Sequence, residues 1–140
     1  MKGDITVFGV DGSTGRLQLV PNQLIKNAQG QQLNYFEVGP APSTLRVGGQ
    51  CVYTVDSGDQ TIYPYGIGGS GQLTVQTNSR IQTGAKNITS INVTGSNIYL
   101  TDGTTNQILP YTQGSGCRLR GSLPSVSAST ERRYSTRLMC

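Results

Sequence analysis

At 140 residues the chain is long enough for one domain. It holds no histidine and no tryptophan, 19 glycines, and only 13% charged residues. The missing histidine excludes a Ser-His-Asp relay and imidazole metal ligation, and the net charge of +4 lies wholly in residues 118–140, because the first 117 hold six bases and six acids.

Met1-Lys2-Gly3 opens the chain without an apolar run of signal-peptide length. No stretch reaches the roughly 18 apolar residues of a membrane span. The chain therefore reads as soluble, with no membrane partner, no export address and a cytoplasmic location when expressed. Residues 4–20, DITVFGVDGSTGRLQLV, align with 60–76, QTIYPYGIGGSGQLTVQ, at an offset of 56. Both predict strand, Gly-rich turn, strand. Residues 21–42 form a connection about ten residues longer than its later counterpart, 78–88. Within it, 33–38 predicts an extra strand or a loop over a cavity, and long loops in compact β folds are often functional.

Residues 44–65, TLRVGGQCVYTVDSGDQTIYPY, recur forty-six positions later, without a gap, as 90–111, SINVTGSNIYLTDGTTNQILPY. Val47, Gly49, Tyr53, Asp56, Ile62, Pro64 and Tyr65 return as Val93, Gly95, Tyr99, Asp102, Ile108, Pro110 and Tyr111. A repeat of this length marks an array of like supersecondary units. Each copy reads as β-strands split by Gly, Asn and Ser. Asp56-Ser57-Gly58 and Asp102-Gly103-Thr104 are turn signals, because Asp bonds its own backbone and Gly accepts positive φ. Pro64 and Pro110 donate no ladder hydrogen bond, so the third strand is expected to carry a bulge or an unpaired side there. A fourth strand follows at 73–77. Four short antiparallel strands in about 46 residues have the size of a β-propeller blade.

The chain thus begins at the third strand of a unit. Residues 1–117 are expected to hold the third and fourth strands of one blade, a full blade and most of another. Beyond Cys117 the alternation decays, and 118–140 reads as a disordered basic tail. A basic arm can bind nucleic acid, but this one lacks interleaved aromatics beyond Tyr134, so nucleic acid is not an expected partner. Cys51, Cys117 and Cys140 are odd in number and have no metal-ligand spacing, and no disulfide framework is legible from them. Cys51 reads as a small buried apolar residue.

The segment Ile5-Thr6-Val7-Phe8-Gly9-Val10-Asp11-Gly12-Ser13-Thr14-Gly15-Arg16-Leu17 resembles the "TVxVFxVDxxTGxL" segment of lactonase-type seven-bladed β-propellers, the family that includes 6-phosphogluconolactonase. Val52-Tyr53-Thr54-Val55-Asp56-Ser57-Gly58-Asp59 resembles its "LYVxNxGDNTV" segment. The resemblance implies an all-β fold and lactone or related ester chemistry. It carries over no catalytic residue, since no position here matches a family active-site motif.

Two to two and a half blades cannot close a ring, and end blades would expose apolar surface and strand edges. Homo-oligomerisation into a ring is the expected remedy, a trimer first and a dimer second. Such a ring would gather copies of Asp56, Asp102, Arg46, Asn92, Tyr53 and Tyr99 around one axis. Converging carboxylates could hold a divalent metal and activate water, giving a hydrolase of lactone, ester or phosphoester bonds. The alternative is a non-catalytic, self-assembling scaffold or small-ligand module, with Asp56 and Asp102 as turn caps and the Pro-Tyr pairs as packing elements.

Overall fold

A computed structural model describes residues 3–20, 34–75, 80–121 and 126–127. The described chain is all-β and antiparallel, with no closed sheet. Its strands are β1 (Asp4–Ile5), β2 (Phe8–Val10), β3 (Leu17–Leu19), β4 (Phe36–Glu37), β5 (Pro42–Gly48), β6 (Cys51–Asp56), β7 (Thr61–Ile67), β8 (Leu73–Val75), β9 (Ile81–Gln82), β10 (Ile88–Thr94), β11 (Asn97–Asp102), β12 (Gln107–Gln113), β13 (Leu119–Gly121) and β14 (Val126–Ser127).

β5 to β9 form a middle unit and β10 to β14 a C-terminal unit with the same topology. In each, the first two strands meet at a two-residue turn with Gly in its first central position, Gly49 (φ 59) and Gly95 (φ 59). Only glycine takes that positive φ without steric cost. The third strand then meets a divided fourth strand. β8 pairs with the end of β7 (Tyr65–Val75 to Ile67–Leu73) and β9 with its start (Thr61–Gln82, Ile62–Ile81). Tyr63 and Pro64 lie in the gap. β13 and β14 leave Leu109 and Pro110 in the same gap on β12. The proline thus has its unpaired side, as the missing donor requires.

The N-terminal strands repeat the second half of a unit. β1 and β2 together stand for the third strand, β3 and β4 for the divided fourth. The expected offset of 56 holds for β3 against β8. By pairing register, β1 and β2 match β7 at 57, because the turn after β2 is one residue longer. Val38 N donates to Gly3 O as Thr83 N donates to Gln60 O. Of the segment 33–38, the described part does contain a strand, as one of the two expectations has it, but the strand is not an addition to the repeat. Its Phe36 and Glu37 are the second half of a fourth strand. Residues 21–33, the rest of the long connection, lie outside the described residues.

The units stack face to face. Each sheet has a forward face, bearing Tyr53 or Tyr99, and a rear face, bearing Tyr65 or Tyr111. The forward face of the middle unit (Cys51, Tyr53, Val55, Ile62) packs on the rear face of the C-terminal unit (Ile91, Ile98, Leu100, with Leu109 and Tyr111). Ile5 and Val7, on the forward face of the N-terminal half-unit, join Phe36 and Val38 over the rear face of the middle unit at Val52, Tyr65 and Leu73. Gly48 permits the approach of the first strands, since a Cβ there would run into a Val93 methyl.

Two expectations need correction. Cys51 is buried as expected, but it is not a free thiol. It forms a disulfide with Cys117 (S–S 2.03 Å, Cα–Cα 5.7 Å), in the 3-10 turn Ser115–Cys117. The spacing of 66 residues hid a contact that only stacking creates. The stretch 118–140 is also not wholly a disordered tail, because β13 and β14 fall inside it and complete the C-terminal unit. Its other residues beyond Gly121 lie outside the described ones. Closing a loop of 66 residues removes about 4 kcal/mol of unfolded-state entropy. Reduction, or Cys51→Ser with Cys117→Ser, should lower the urea unfolding free energy by about that much, read from fluorescence or circular dichroism melts with and without reductant.

Candidate functional site

Asp56 and Asp102 end the second strands β6 and β11, and both are buried. Asp56 Oδ2 accepts the Ala41 amide at 2.6 Å, and Oδ1 accepts the amides of Gly58 (2.8 Å) and Asp59 (3.1 Å). Asp102 repeats the arrangement with Lys86 (2.9 Å) and Asn87 (3.2 Å) on one side and Thr104 (2.9 Å) and Thr105 (3.4 Å) on the other. Each carboxylate ties the segment entering the first strand to the turn leaving the second. A carboxylate offers about four lone-pair directions, and backbone donors fill three or four of them here. Gly39 makes room for this cap, since a Cβ there would collide with the Asp56 carboxylate. The Lys86 amide, followed by those of Thr104 and Thr105, holds the Asp102 carboxyl down at about 2, against burial, which pushes it up.

The other expected site residues do not converge on these carboxylates. Tyr53 is opposite Arg46 and Pro64 in the ladder, fully buried between the stacked sheets. Its Oη has no hydrogen-bond partner among the described residues, and burial pushes the phenol up to about 12. Arg46 is exposed and donates from Nη1 to the carbonyl of Leu45 beside it (2.8 Å). Tyr99, the repeat of Tyr53, is 41% exposed because no further sheet covers it.

What the structure does gather is an open surface. The forward face of the C-terminal unit is a groove of about 480 Å³ lined by Ser90, Asn92, Tyr99, Thr101, Ile108 and Pro110. A neighbouring hollow of about 300 Å³ lies between Tyr99, Pro110, Tyr111, Thr112 and Arg120. Thr101 bonds Thr89 (2.8 Å) and Ser90 (2.7 Å) through its hydroxyl, so this face offers polar groups around an apolar centre.

At the opposite end, Phe8, Val10, Leu17 and Leu19 share one face of the β2–β3 hairpin, since Phe8 pairs with Leu19 and Val10 with Leu17. All four are exposed, Val10 at 68% and Leu17 at 64%. In the sequence these residues mark a strand, turn and strand and give no sign of a surface. Asp11 holds that turn by accepting from Ser13 Oγ (2.6 Å), Ser13 N (2.8 Å) and Thr14 N (3.0 Å). No helix among the described residues is long and apolar enough to cross a membrane.

Comparison with family models, with curated proteins and with solved structures finds no match.

Two outcomes follow from this geometry. Asp102 has a folded value near 2 against the usual 3.8, so its contribution to stability is complete above the unfolded value. That contribution is lost as pH falls from about 5 towards 2. Acid titration of the folded state should show this loss, and Asp102→Asn should flatten that limb. Tyr53→Phe removes a buried hydroxyl without a partner, and should raise the unfolding free energy by about 1 kcal/mol. A loss of stability would mean that the hydroxyl is bonded.

Proposed function

We propose that this chain is a β-propeller-type repeat module with a structural, non-catalytic role, built of units that join by face-to-face stacking. The observation that carries this reading is the engagement of Asp56 and Asp102. The recurring carboxylates, the best candidates for hydrolytic chemistry, are used within each unit to hold backbone amides. Four strands in about 46 residues, twice over, with a divided fourth strand each time, support the blade reading. The resemblance to lactonase-type propellers enters at this level, as a likeness of units.

A hydrolytic role would ask for carboxylates with lone pairs directed at a substrate or cation. Asp56 and Asp102 direct theirs at the backbone. Tyr53 lies inside the stack, where no substrate reaches it. The disulfide adds an environmental condition, because a structural bridge persists in an oxidising compartment, and the module is proposed to work there.

The test is turnover. A lactone, an aryl ester and a phosphotriester, each with and without added divalent cation, should be hydrolysed no faster than in buffer. Asp56→Asn should lower stability by about 2 kcal/mol, since an amide nitrogen cannot accept the Ala41 N–H and charge-assisted bonds are lost. A rate above buffer that disappears in a folded Asp56→Asn or Asp102→Asn variant would overturn the structural reading.

A further inference from the structure

We propose that a second copy of this chain docks head to tail on the open end of the first. The forward face of one C-terminal unit, centred on Tyr99 and Ile108, would receive the rear face of the other copy's β2–β3 hairpin. The inference rests on the reading of the units as stacking repeats and adds the partner, the surface and the polarity of the contact.

The argument starts from an interface already inside the chain. The middle unit offers Tyr53, Val55 and Ile62 forward, and the C-terminal unit covers them with its rear face, including Tyr111 and Leu119. By pairing register, Phe8 is the counterpart of Tyr65 and Tyr111, and Leu17 that of Leu73 and Leu119. In both complete units that row is turned towards another unit and is largely covered: Tyr65, Leu73 and Leu119 are buried, and Tyr111 is half-buried. On the hairpin the same row is exposed, Phe8 at 50% and Leu17 at 64%. Among the described residues one forward face and one rear face are thus left exposed, and the two are of the types that pack together within the chain.

The forward face at the open end has the composition of a contact that must also meet water. Tyr99, Ile108 and Pro110 repeat Tyr53, Ile62 and Pro64, while Thr101 and Asn97 stand where the internal interface has Val55 and Cys51. An apolar centre within a polar rim is the anatomy of an association surface. Leu45 and Val47, on the rear face of the middle unit, are also exposed. They add to the exposed apolar surface on the rear side of the chain. The second edge of β11 is already taken by the chain's own β12, so the contact is one of faces and needs no exchange of strands. Because the two surfaces differ, the contact is heterologous. It closes into a ring if the rotation permits and otherwise continues as an open array.

The experiment uses the full chain and two surface variants, Leu17→Lys on the hairpin and Tyr99→Lys on the forward face. Light scattering on a size-exclusion column should give the unaltered chain a mass above 14.9 kDa. Each variant alone should be monomeric, its association weakened about tenfold or more. Mixed in equal amounts, the variants should form a complex of twice 14.9 kDa and no larger, since each supplies the face the other has lost. Unfolding midpoints measured on the same samples establish that both variants are folded. Three outcomes overturn the proposal: an unaltered chain that is monomeric up to about 100 μM, folded variants that still associate, or variants that fail to complement each other. None of these depends on turnover, so catalytic activity and association fail independently.

Discussion

The constraint on which the structure depends is that the middle sheet is apolar on both sides. A single antiparallel sheet commonly covers one face and wets the other. Here the middle sheet has Val52 and Tyr65 on its rear face and Tyr53, Val55 and Ile62 on its forward face, all buried. Each such side chain contributes roughly 1.5–3 kcal/mol when removed from water, and a unit of this size alone could cover neither face. Stacking is therefore the fold's source of stability, and the disulfide from Cys51 to Cys117 fixes covalently the one interface at which both partners are complete units.

Local polar chemistry serves that stacking. Asp56 and Asp102 gather amides from two segments that would otherwise leave buried donors unsatisfied. The proline gap serves a different end. Pro64 and Pro110 break the fourth strand into two short pieces, so the outer edge of each sheet presents no long row of ladder groups. Short, interrupted edges are a recognised protection against edge-to-edge pairing. The same residues that make the repeat legible, Asp, Pro and Gly at fixed offsets, thus have separate duties in capping, interruption and turning.

Most of the fold could be read from the chain because its signals are local and occur twice. Gly49 and Gly95, Asp56 and Asp102, and Pro64 and Pro110 each act within a few residues, and the second copy checks the first. The match of the N-terminal strands to the second half of a unit was legible for the same reason. The disulfide was not, because residues 66 apart meet only once sheets are stacked, and Cys51 and Cys117 occupy non-equivalent positions. β13 and β14 were hidden by composition. Arg118, Arg120 and the Ser-rich stretch around them break the apolar alternation, yet Leu119 alone supplies the buried side chain that the short β13 needs. The candidate site was misjudged in kind. A recurring Asp looks the same in a sequence whether it faces a ligand or its own backbone, and only the positions of Ala41 and Lys86 relative to the turns distinguish the two.

Repetition also explains why the informative surfaces are the unequal ones. If the units were identical, every forward face would carry Val55 and Cys51 and every interface would be the same. Instead the buried forward face is Cys, Tyr, Val and Ile, and the open one substitutes Asn97 and Thr101 while keeping Tyr99 and Ile108. An internal face never meets water after folding and has no reason to retain polar groups. An outer face must remain soluble whenever it is uncovered, which restricts how apolar it can be. The hairpin's row of Phe8, Val10, Leu17 and Leu19 shows no such concession, although all four are exposed. The row is the register counterpart of Tyr65 and Leu73, which the stack buries, so the difference between the two lies in cover and not in composition.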